Sequence, residues 1–167
     1  HHRYLHSFPT RRSSDLTDEF IKEAREHQAG YPPTEMIWYR VTAYRAHLEK
    51  GWPELWAEIE GIASGARVEI ERILLLNYLL EFTDLFAARP IEGVAPACTA
   101  IAATRPATAR GIFVAQNYDL VPSFQEHLVI LRVTEENKPA SLVFSLAGLV
   151  GLAGMNSTGL GVVINNL

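Results

Sequence analysis

The sequence predicts an α+β fold in which a helical half is followed by antiparallel strands. Three observations lead to this prediction. Apolar residues recur at helical spacing between residues 17 and 86. Short β-type runs, bounded by proline, glycine, asparagine or charged clusters, fill the chain after Arg89. Helices and strands are segregated rather than alternating, which is typical of the α+β class.

The first segment, residues 1–16, is expected to contribute nothing to this fold. Its stretch SFPTRRSSDL has neither the apolar core of a secretory signal nor an apolar run behind Arg11 and Arg12. Written as codons, the stretch resembles a common sequencing-library adapter. We therefore interpret residues 1–16 as a disordered artefact, and a different codon sequence in the reading frame would contradict this.

The helical half, residues 17–97, is expected to hold four helices. Thr17 fits an N-cap before DEFIKEAREH, and Thr34 precedes the periodic segment EMIWYRVTAYRAHLEK. Pro53 opens PELWAEIEGIAS, and Gly65 can close it in the left-handed conformation. The fourth segment, VEIERILLLNYLLEFTDLF, is apolar on most faces and should be buried.

The strand half, residues 98–167, follows the loop-like stretch ARPIEGVAPA. It contains the runs CTAIAAT, GIFVAQNY, HLVILRV, SLVFSLAG and GVVINNL, and their hairpin spacing predicts mostly antiparallel strands. HLVILRV is apolar on both faces, so the sheet is expected to be covered on both sides. Since the chain stops at Leu167 directly after a strand-like run, we expect a further C-terminal part to complete this cover.

Charge and cysteine content exclude several classes of function. The chain has 15 Lys and Arg against 19 Asp and Glu. Removing Arg3, Arg11, Arg12 and Asp15 with the first segment leaves 12 against 18, a net charge of −6. This charge argues against nucleic-acid and membrane partners. A single cysteine, Cys98, allows no intramolecular disulfide and no tetrahedral metal cluster, so no cofactor or metal is expected. The sequence does not determine the cellular compartment, and the cytoplasm is the expectation.

Four segments suggest chemistry, although each also has an ordinary structural explanation. Cys98 lies where the loop becomes the first strand, and a lone cysteine is more often a small buried hydrophobe than a functional residue. QNYD at residues 116–119 ends the second strand, and antiparallel pairing would bring Asp119 near the start of the first strand. By itself Asp119 could be a turn residue. GMNSTGLGVVINNL predicts a tight turn at Gly154, Asn156 and Gly159, as in an ordinary hairpin. EIEGIASGARVEIERILLLNYLLEF could be a helix, a glycine stop and a second helix.

The order and spacing of these segments resemble one family, although none of them is specific alone. This is the acyl-coenzyme A:isopenicillin N acyltransferase-like family of N-terminal nucleophile hydrolases, related to choloylglycine (bile-salt) hydrolases and acid ceramidase. In the helical part the resemblance rests on Glu58, Gly61, Ile62, Ala63, Gly65, Ala66, Glu71, Asn77 and Glu81. It implies an αββα sandwich, present here incompletely. Residues 17–97 would be a helical α-chain segment, and residues 98–167 the truncated start of a catalytic β chain.

The resemblance also implies a mechanism. The precursor would cut its own Ala97–Cys98 bond, and Cys98 would become a new N-terminal residue. Its free α-amine titrates near neutral pH and can act as the base for its own thiol. The thiolate would attack a linear amide or an acyl thioester, and water or an amine would take the acyl group. The expected partners are a small-molecule N-acyl amide or acyl donor, with acyl-coenzyme A as a possible donor substrate, and the protein's own processed chain in an α/β heterodimer.

Further residue roles follow from the same resemblance. Asp119 would hold the amine of Cys98, and Asn165 or Asn166 would stabilise the oxyanion. The two asparagines alternate in facing, so only one can point at Cys98. Asn165 is preferred because its spacing to Leu167 fits the penicillin enzyme, whereas bile-salt hydrolases point to Asn166. Supporting roles are possible for Gln116, Asn117, Tyr118 and Asn156.

The sequence departs from the family pattern at two positions. Ala97 stands where precursors often have glycine, which could slow the cleavage. Gln116 stands where bile-salt hydrolases carry arginine, so that substrate class is less expected. The fragment alone is expected to be inactive.

Two alternatives stay open at this point. One is a non-catalytic α+β binding module in which Cys98 is buried and uncut. The other is a lipid amidase of the ceramidase type, made as a precursor with a signal peptide. Trp38, Tyr39, Trp52 and Trp56 could line an acyl pocket, but their helical spacing is more typical of a core.

Overall fold

The computed structural model describes residues 17–18, 21–22, 25–26, 34–78, 98–119 and 122–165. The chain divides into two compact units. The helical unit contains, among the described residues, those up to 78 together with residues 147–150. The strand unit contains, among the described residues, 98–119, 122–146 and 151–165. The predictions for residues 1–16, for Ala97 and for Asn166 lie outside the described residues.

The helical unit contains helices in the predicted order. Helix α1 spans Thr34–Gly51, α2 spans Pro53–Ala66 and α3 spans Ile70–Asn77. Residues 17–18, 21–22 and 25–26 are helical as well. Helix α3 corresponds to the fourth predicted helix and ends at Asn77. Residues 79–86 of that prediction lie outside the described residues.

The end of α2 differs from the prediction. The left-handed residue is Arg67, with φ 57° and ψ 45°, and Gly65 remains inside the helix. The N–H of Val68 donates to the carbonyl of Ala63 at 3.1 Å, and that of Arg67 to Ser64 at 3.2 Å, which closes the helix. The helix continues past the glycine because Ala66 is still buried in the core. The prediction for Gly65 was therefore wrong, since burial and not local propensity fixes this helix end.

One hydrophobic core holds the helical unit together. Its buried members are Ile37, Val41, Leu48, Trp56, Ile59, Ile62, Ala63, Ile73, Leu74 and Leu75. Four consecutive residues of α3, 73–76, are fully buried. Consecutive helical residues point in different directions, so α3 is covered on all sides, as its apolar composition predicted.

The four aromatic residues considered for an acyl pocket have different environments. Trp56 is buried in the core, and Trp38 packs against the core partly buried. Tyr39 and Trp52 are 74% and 54% exposed. The core interpretation is correct for Trp56 and Trp38 and wrong for Tyr39 and Trp52. The latter two lie on outward-facing positions of the helical unit's described residues.

The described residues of the strand unit form two antiparallel sheets. Strands β1 (Cys98–Ala103) and β2 (Phe113–Tyr118) form a two-stranded ribbon. Strands β3 (Leu128–Val133), β4 (Ser141–Leu146), β5 (Ala153–Asn156) and β6 (Gly161–Val162) form a four-stranded sheet in sequential order. Every pairing is antiparallel, as predicted. A 3-10 helix at Pro122–His127 precedes β3, so this strand begins one residue later than HLVILRV suggested.

The β5–β6 hairpin contains the predicted turn in a modified form. Asn156 and Gly159 build the turn, and Gly159 has φ +90°. Gly154 instead lies within β5, where an added Cβ would lie 2.6 Å from the carbonyl oxygen of Leu142. This glycine therefore permits the close approach of β4 and β5.

One face of the four-stranded sheet is exposed. Side chains alternate in burial along β3, and Ile130 is 73% exposed. On neighbouring strands Leu142 and Met155 are 48% and 58% exposed. The described residues therefore leave this face uncovered, and the predicted cover from a further C-terminal part stays a prediction. The apolar character of HLVILRV reflects one half-buried face and one exposed apolar face.

No helix among the described residues is long and apolar enough to cross a bilayer.

Candidate active site

The candidate site is built on the ribbon of β1 and β2. Cys98 is the first residue of β1 and is half-buried. The register pairs Cys98 with Tyr118 and Ala100 with Gln116. Directly opposed residues of an antiparallel pair share a face, and alternate residues along a strand share it too. The side chains of Cys98, Tyr118 and Gln116 therefore lie on one face of the ribbon.

Asp119 lies on the other face, immediately after β2. It follows Tyr118, the register partner of Cys98. The amide nitrogen Nδ2 of Asn117 donates to Oδ1 of Asp119 at 3.0 Å, so the two side chains lie together. Both residues are exposed. The sequence prediction that antiparallel pairing brings Asp119 near the start of β1 agrees with this register.

Tyr118 is affected electrostatically by the cysteine beside it. Partial burial, and secondly the negative charge of an ionised Cys98, raise the pKa of Tyr118 above its ordinary value of 10.0. Both causes disfavour the tyrosinate. At neutral pH the face that carries Cys98 therefore presents a neutral phenol that can donate a hydrogen bond.

Gln116 connects β2 to the segment that follows β6. Its Oε1 accepts a hydrogen bond from the backbone N–H of Ile164 at 3.1 Å. Its Nε2 donates a hydrogen bond to the backbone carbonyl of the same residue. One primary amide therefore satisfies both peptide groups of Ile164, as a neighbouring strand would. A Cβ built on Gly161 would also lie 3.8 Å from Cγ2 of Val114, which places the two chain segments in contact.

Two further predicted site residues, Asn165 and Asn156, have different environments. Asn165 follows Ile164 directly and is exposed. Asn156 has a turn role instead. Its Oδ1 accepts hydrogen bonds from the N–H of Thr158 and Leu160, both at 3.1 Å, and from Oγ1 of Thr158 at 2.7 Å. Of the four possible supporting residues, Asn156 therefore stabilises its own hairpin.

Among the described residues, no group of three or more His, Cys, Asp or Glu side chains could hold a metal ion.

The partner of Gln116 is the feature of the site that sequence reasoning missed. Gln116 and Ile164 are separated by 48 positions, and the bonded groups of Ile164 belong to the backbone. Backbone groups carry no residue-specific signal. The polar residue Gln116, directly after the apolar stretch IFVA, was the one available hint.

Comparison with known proteins gives two findings. No protein-family model matches the chain. Over 121 residues, the chain is 33% identical to the acyl-coenzyme A:6-aminopenicillanic-acid-acyltransferase 40 kDa form of Emericella nidulans. The match covers 72% of this chain and 31% of that protein. The chain thus spans less than a third of the length of this relative.

Fold and similarity together define the class of protein. A helical segment followed by antiparallel strands agrees with an α+β enzyme of the acyltransferase type. The similarity to this acyltransferase confirms the resemblance to the acyltransferase-like family that was drawn from the motifs.

Proposed function

We propose that this chain is part of a self-processing acyltransferase or amidohydrolase whose nucleophile is Cys98 as a new N-terminal residue, built on an αββα sandwich. The observation that most supports the proposal is the register of the ribbon. It places the thiol of Cys98 at the start of a strand, opposite Tyr118, with the Asp119 carboxylate one residue further on. Similarity to an acyltransferase supports the reaction class.

The proposed cleavage gives Cys98 a free α-amine, which acts as the base. The thiol proton passes to this amine as sulfur attacks the acyl carbon. An S–C bond forms, and the C–N bond of an amide, or the C–S bond of an acyl thioester, breaks. The proton passes to the leaving group. Water or an acceptor amine then attacks the acyl-enzyme and regenerates the thiol.

Asp119 is proposed to hold the amine rather than the thiol. The thiol lies on the face of Tyr118, and Asp119 lies on the face of Asn117. The backbone nitrogen of Cys98 lies in the plane of the ribbon, between these faces. A carboxylate on the far face can therefore bind the ammonium form without competing for the nucleophilic sulfur. The hydrogen bond from Asn117 fixes this carboxylate.

Asn165 is proposed as the oxyanion donor. Gln116 shares the face of Cys98 and binds the backbone of Ile164. The residue after Ile164 is therefore held close to the nucleophile's face. A well-placed donor of this kind is worth roughly 100- to 1000-fold in rate.

The proposed substrates are small acyl donors. The relative's name specifies acyl-coenzyme A and 6-aminopenicillanic acid. For this chain we propose an acyl thioester or a small N-acyl amide as the donor, with water or a small amine as the acceptor.

The test is expression of the complete gene without the segment 1–16, followed by intact-mass analysis and N-terminal sequencing. Two chains, one of them beginning at Cys98, are expected, and Cys98→Ala should give a single uncut chain. Asp119→Asn should slow cleavage or turnover by at least about 10-fold, since a charge-assisted bond is lost. Asp84→Asn, the same change at an aspartate outside the site motifs, is the control. An uncut wild-type chain after long incubation would favour the non-catalytic module, and equal effects of the two substitutions would reject the role of Asp119.

A further inference from the structure

A short segment from the strand half belongs to the helical unit. The chain leaves the sheet at Leu146, the end of β4, and returns to it at Ala153, the start of β5. Residues 147–150 between these strands group with the helices and not with the sheet. We call these four residues the docking segment. They follow Cys98 in the sequence, whereas the helices precede it.

Asn77, the last residue of α3, binds the docking segment with both ends of its amide. Its Nδ2 donates to the carbonyl of Gly148 at 2.9 Å, and its Oδ1 accepts from the N–H of Val150 at 2.9 Å. The same Nδ2 also donates to the carbonyl of Ile73 at 2.8 Å, within α3. Both amide protons and the oxygen are therefore used. The orientation of the amide is unique, because reversing it would place oxygen against two carbonyls.

The docking segment is also packed and shaped for this position. Ala147 and Leu149 are 2% and 8% exposed, and Val150 packs against the core of the helical unit. Gly148 has φ +99°, a conformation that favours glycine. The contact thus combines backbone hydrogen bonds, apolar burial and a special turn within only four residues.

We propose that Asn77 and the docking segment form the attachment site that keeps the two product chains together once the chain is cut before Cys98. The partner bound at the end of α3 is the protein's own C-terminal product, which is hydrogen-bonded through the backbone of Gly148 and Val150. This inference rests on the proposed function, which supplies the cut.

A cut before Cys98 removes the covalent link between α3 and the docking segment. Before the cut, the contact is intramolecular. The protein then tolerates loss of the contact, because the continuous chain keeps Asn77 and the docking segment near each other. After the cut, every lost hydrogen bond increases dissociation. Asn77→Leu keeps the approximate side-chain volume and removes both bonds to the docking segment. The expected result is about 10- to 100-fold faster separation of the chains, with cleavage before Cys98 unchanged.

The experiment uses the protein from the complete gene with an affinity tag on its helical side. The cut protein is immobilised through its tag. Release of the C-terminal product that begins at Cys98, here called the strand chain, is followed over time for the wild type and Asn77→Leu. Thr42→Val is the matched control. It removes a side-chain hydrogen bond of 2.9 Å to the carbonyl of Trp38, four residues earlier, in an exposed part of α1. The wild type and Thr42→Val should retain the strand chain, and Asn77→Leu should release it.

The design separates the inference from the proposed function. A second form carries Cys98→Ala and a protease recognition sequence inserted between residues 90 and 97, so that an added protease makes the cut. If the wild type does not cut itself, the proposed function fails, and the protease-cut form still tests the attachment site. If the C-terminal product leaves the protease-cut protein equally fast with Asn77→Leu and with Asn77 unchanged, the inference is overturned.

A second variant, in the docking segment of the C-terminal product, controls for a folding defect of Asn77→Leu. If uncut Asn77→Leu lacks the cooperative thermal transition of the wild type, Leu149→Ala replaces it. This change removes a buried apolar side chain of the docking segment and leaves α3 unaltered. Faster release from Leu149→Ala than from Thr42→Val supports the attachment site, and equal release rejects it.

Discussion

The bridge between Gln116 and Ile164 gives a prediction that needs no knowledge of the substrate. Gln116→Met keeps the length of the side chain and removes its donor and its acceptor. Ile164 then loses the partners of both its N–H and its carbonyl. Because this N–H and carbonyl are paired to a side chain instead of to a strand, one substitution exposes both.

The expected magnitude follows from these two bonds. Each contributes about 0.5–1.5 kcal/mol net, so the local opening free energy at Ile164 should fall by about 1–3 kcal/mol. Tenfold corresponds to about 1.4 kcal/mol, so the Ile164 amide should exchange its hydrogen about 5- to 150-fold faster. In the processed enzyme, a displaced Asn165 should lower kcat by about 10- to 100-fold with little change in KM.

The assay is residue-resolved amide hydrogen exchange, with Gln125→Met as the matched control. Gln125 is exposed and lies in the 3-10 helix that precedes β3. Its substitution should leave the exchange of Ile164 unchanged. An unchanged rate in Gln116→Met, or equal acceleration in both variants, would refute the bridge and with it the placement of Asn165.

Two further predictions follow from single residues. The raised pKa of Tyr118 stabilises the fold below about pH 10, and this contribution is lost as the pH rises further, because the unfolded state releases its proton first. Tyr118→Phe should therefore reduce the loss of stability at alkaline pH. In the Cys98→Ser variant, spectrophotometric titration should show that the pKa of Tyr118 is still raised, but by less, since burial is the main cause of the shift. Gly65→Ala should raise the free energy of unfolding by about 0.5–1 kcal/mol in chemical denaturation, because Gly65 is helical and its added Cβ meets no atom within 4 Å. Destabilisation would instead indicate that Gly65, rather than Arg67, is the left-handed residue.

Much of the local structure could be predicted from the sequence. Helical spacing predicted α1, and proline at the first turn predicted the start of α2. The runs CTAIAAT and SLVFSLAG gave β1 and β4. These signals succeed because periodicity and end residues act over a few neighbouring positions.

The errors have a common physical cause. Gly65 has the local preference for a helix end, yet burial of Ala66 extends α2 to Ala66, and Arg67 caps it. Gly154 suggested a turn and instead lies in β5, against the backbone of β4. In both cases the residue type was informative, but its use depended on which segment packs nearby.

The sequence by itself determined the order of helices and strands, the position of Cys98 at the start of a strand, and the motif order that indicates the family. Tertiary structure alone decided which groups meet. Gln116 reaches Ile164 across 48 positions, and Asn77 reaches Gly148 and Val150 across 71 and 73 positions. These contacts bind backbone groups, which every residue carries. Side-chain periodicity cannot encode such a choice, and only packing and register bring the partners within hydrogen-bonding distance.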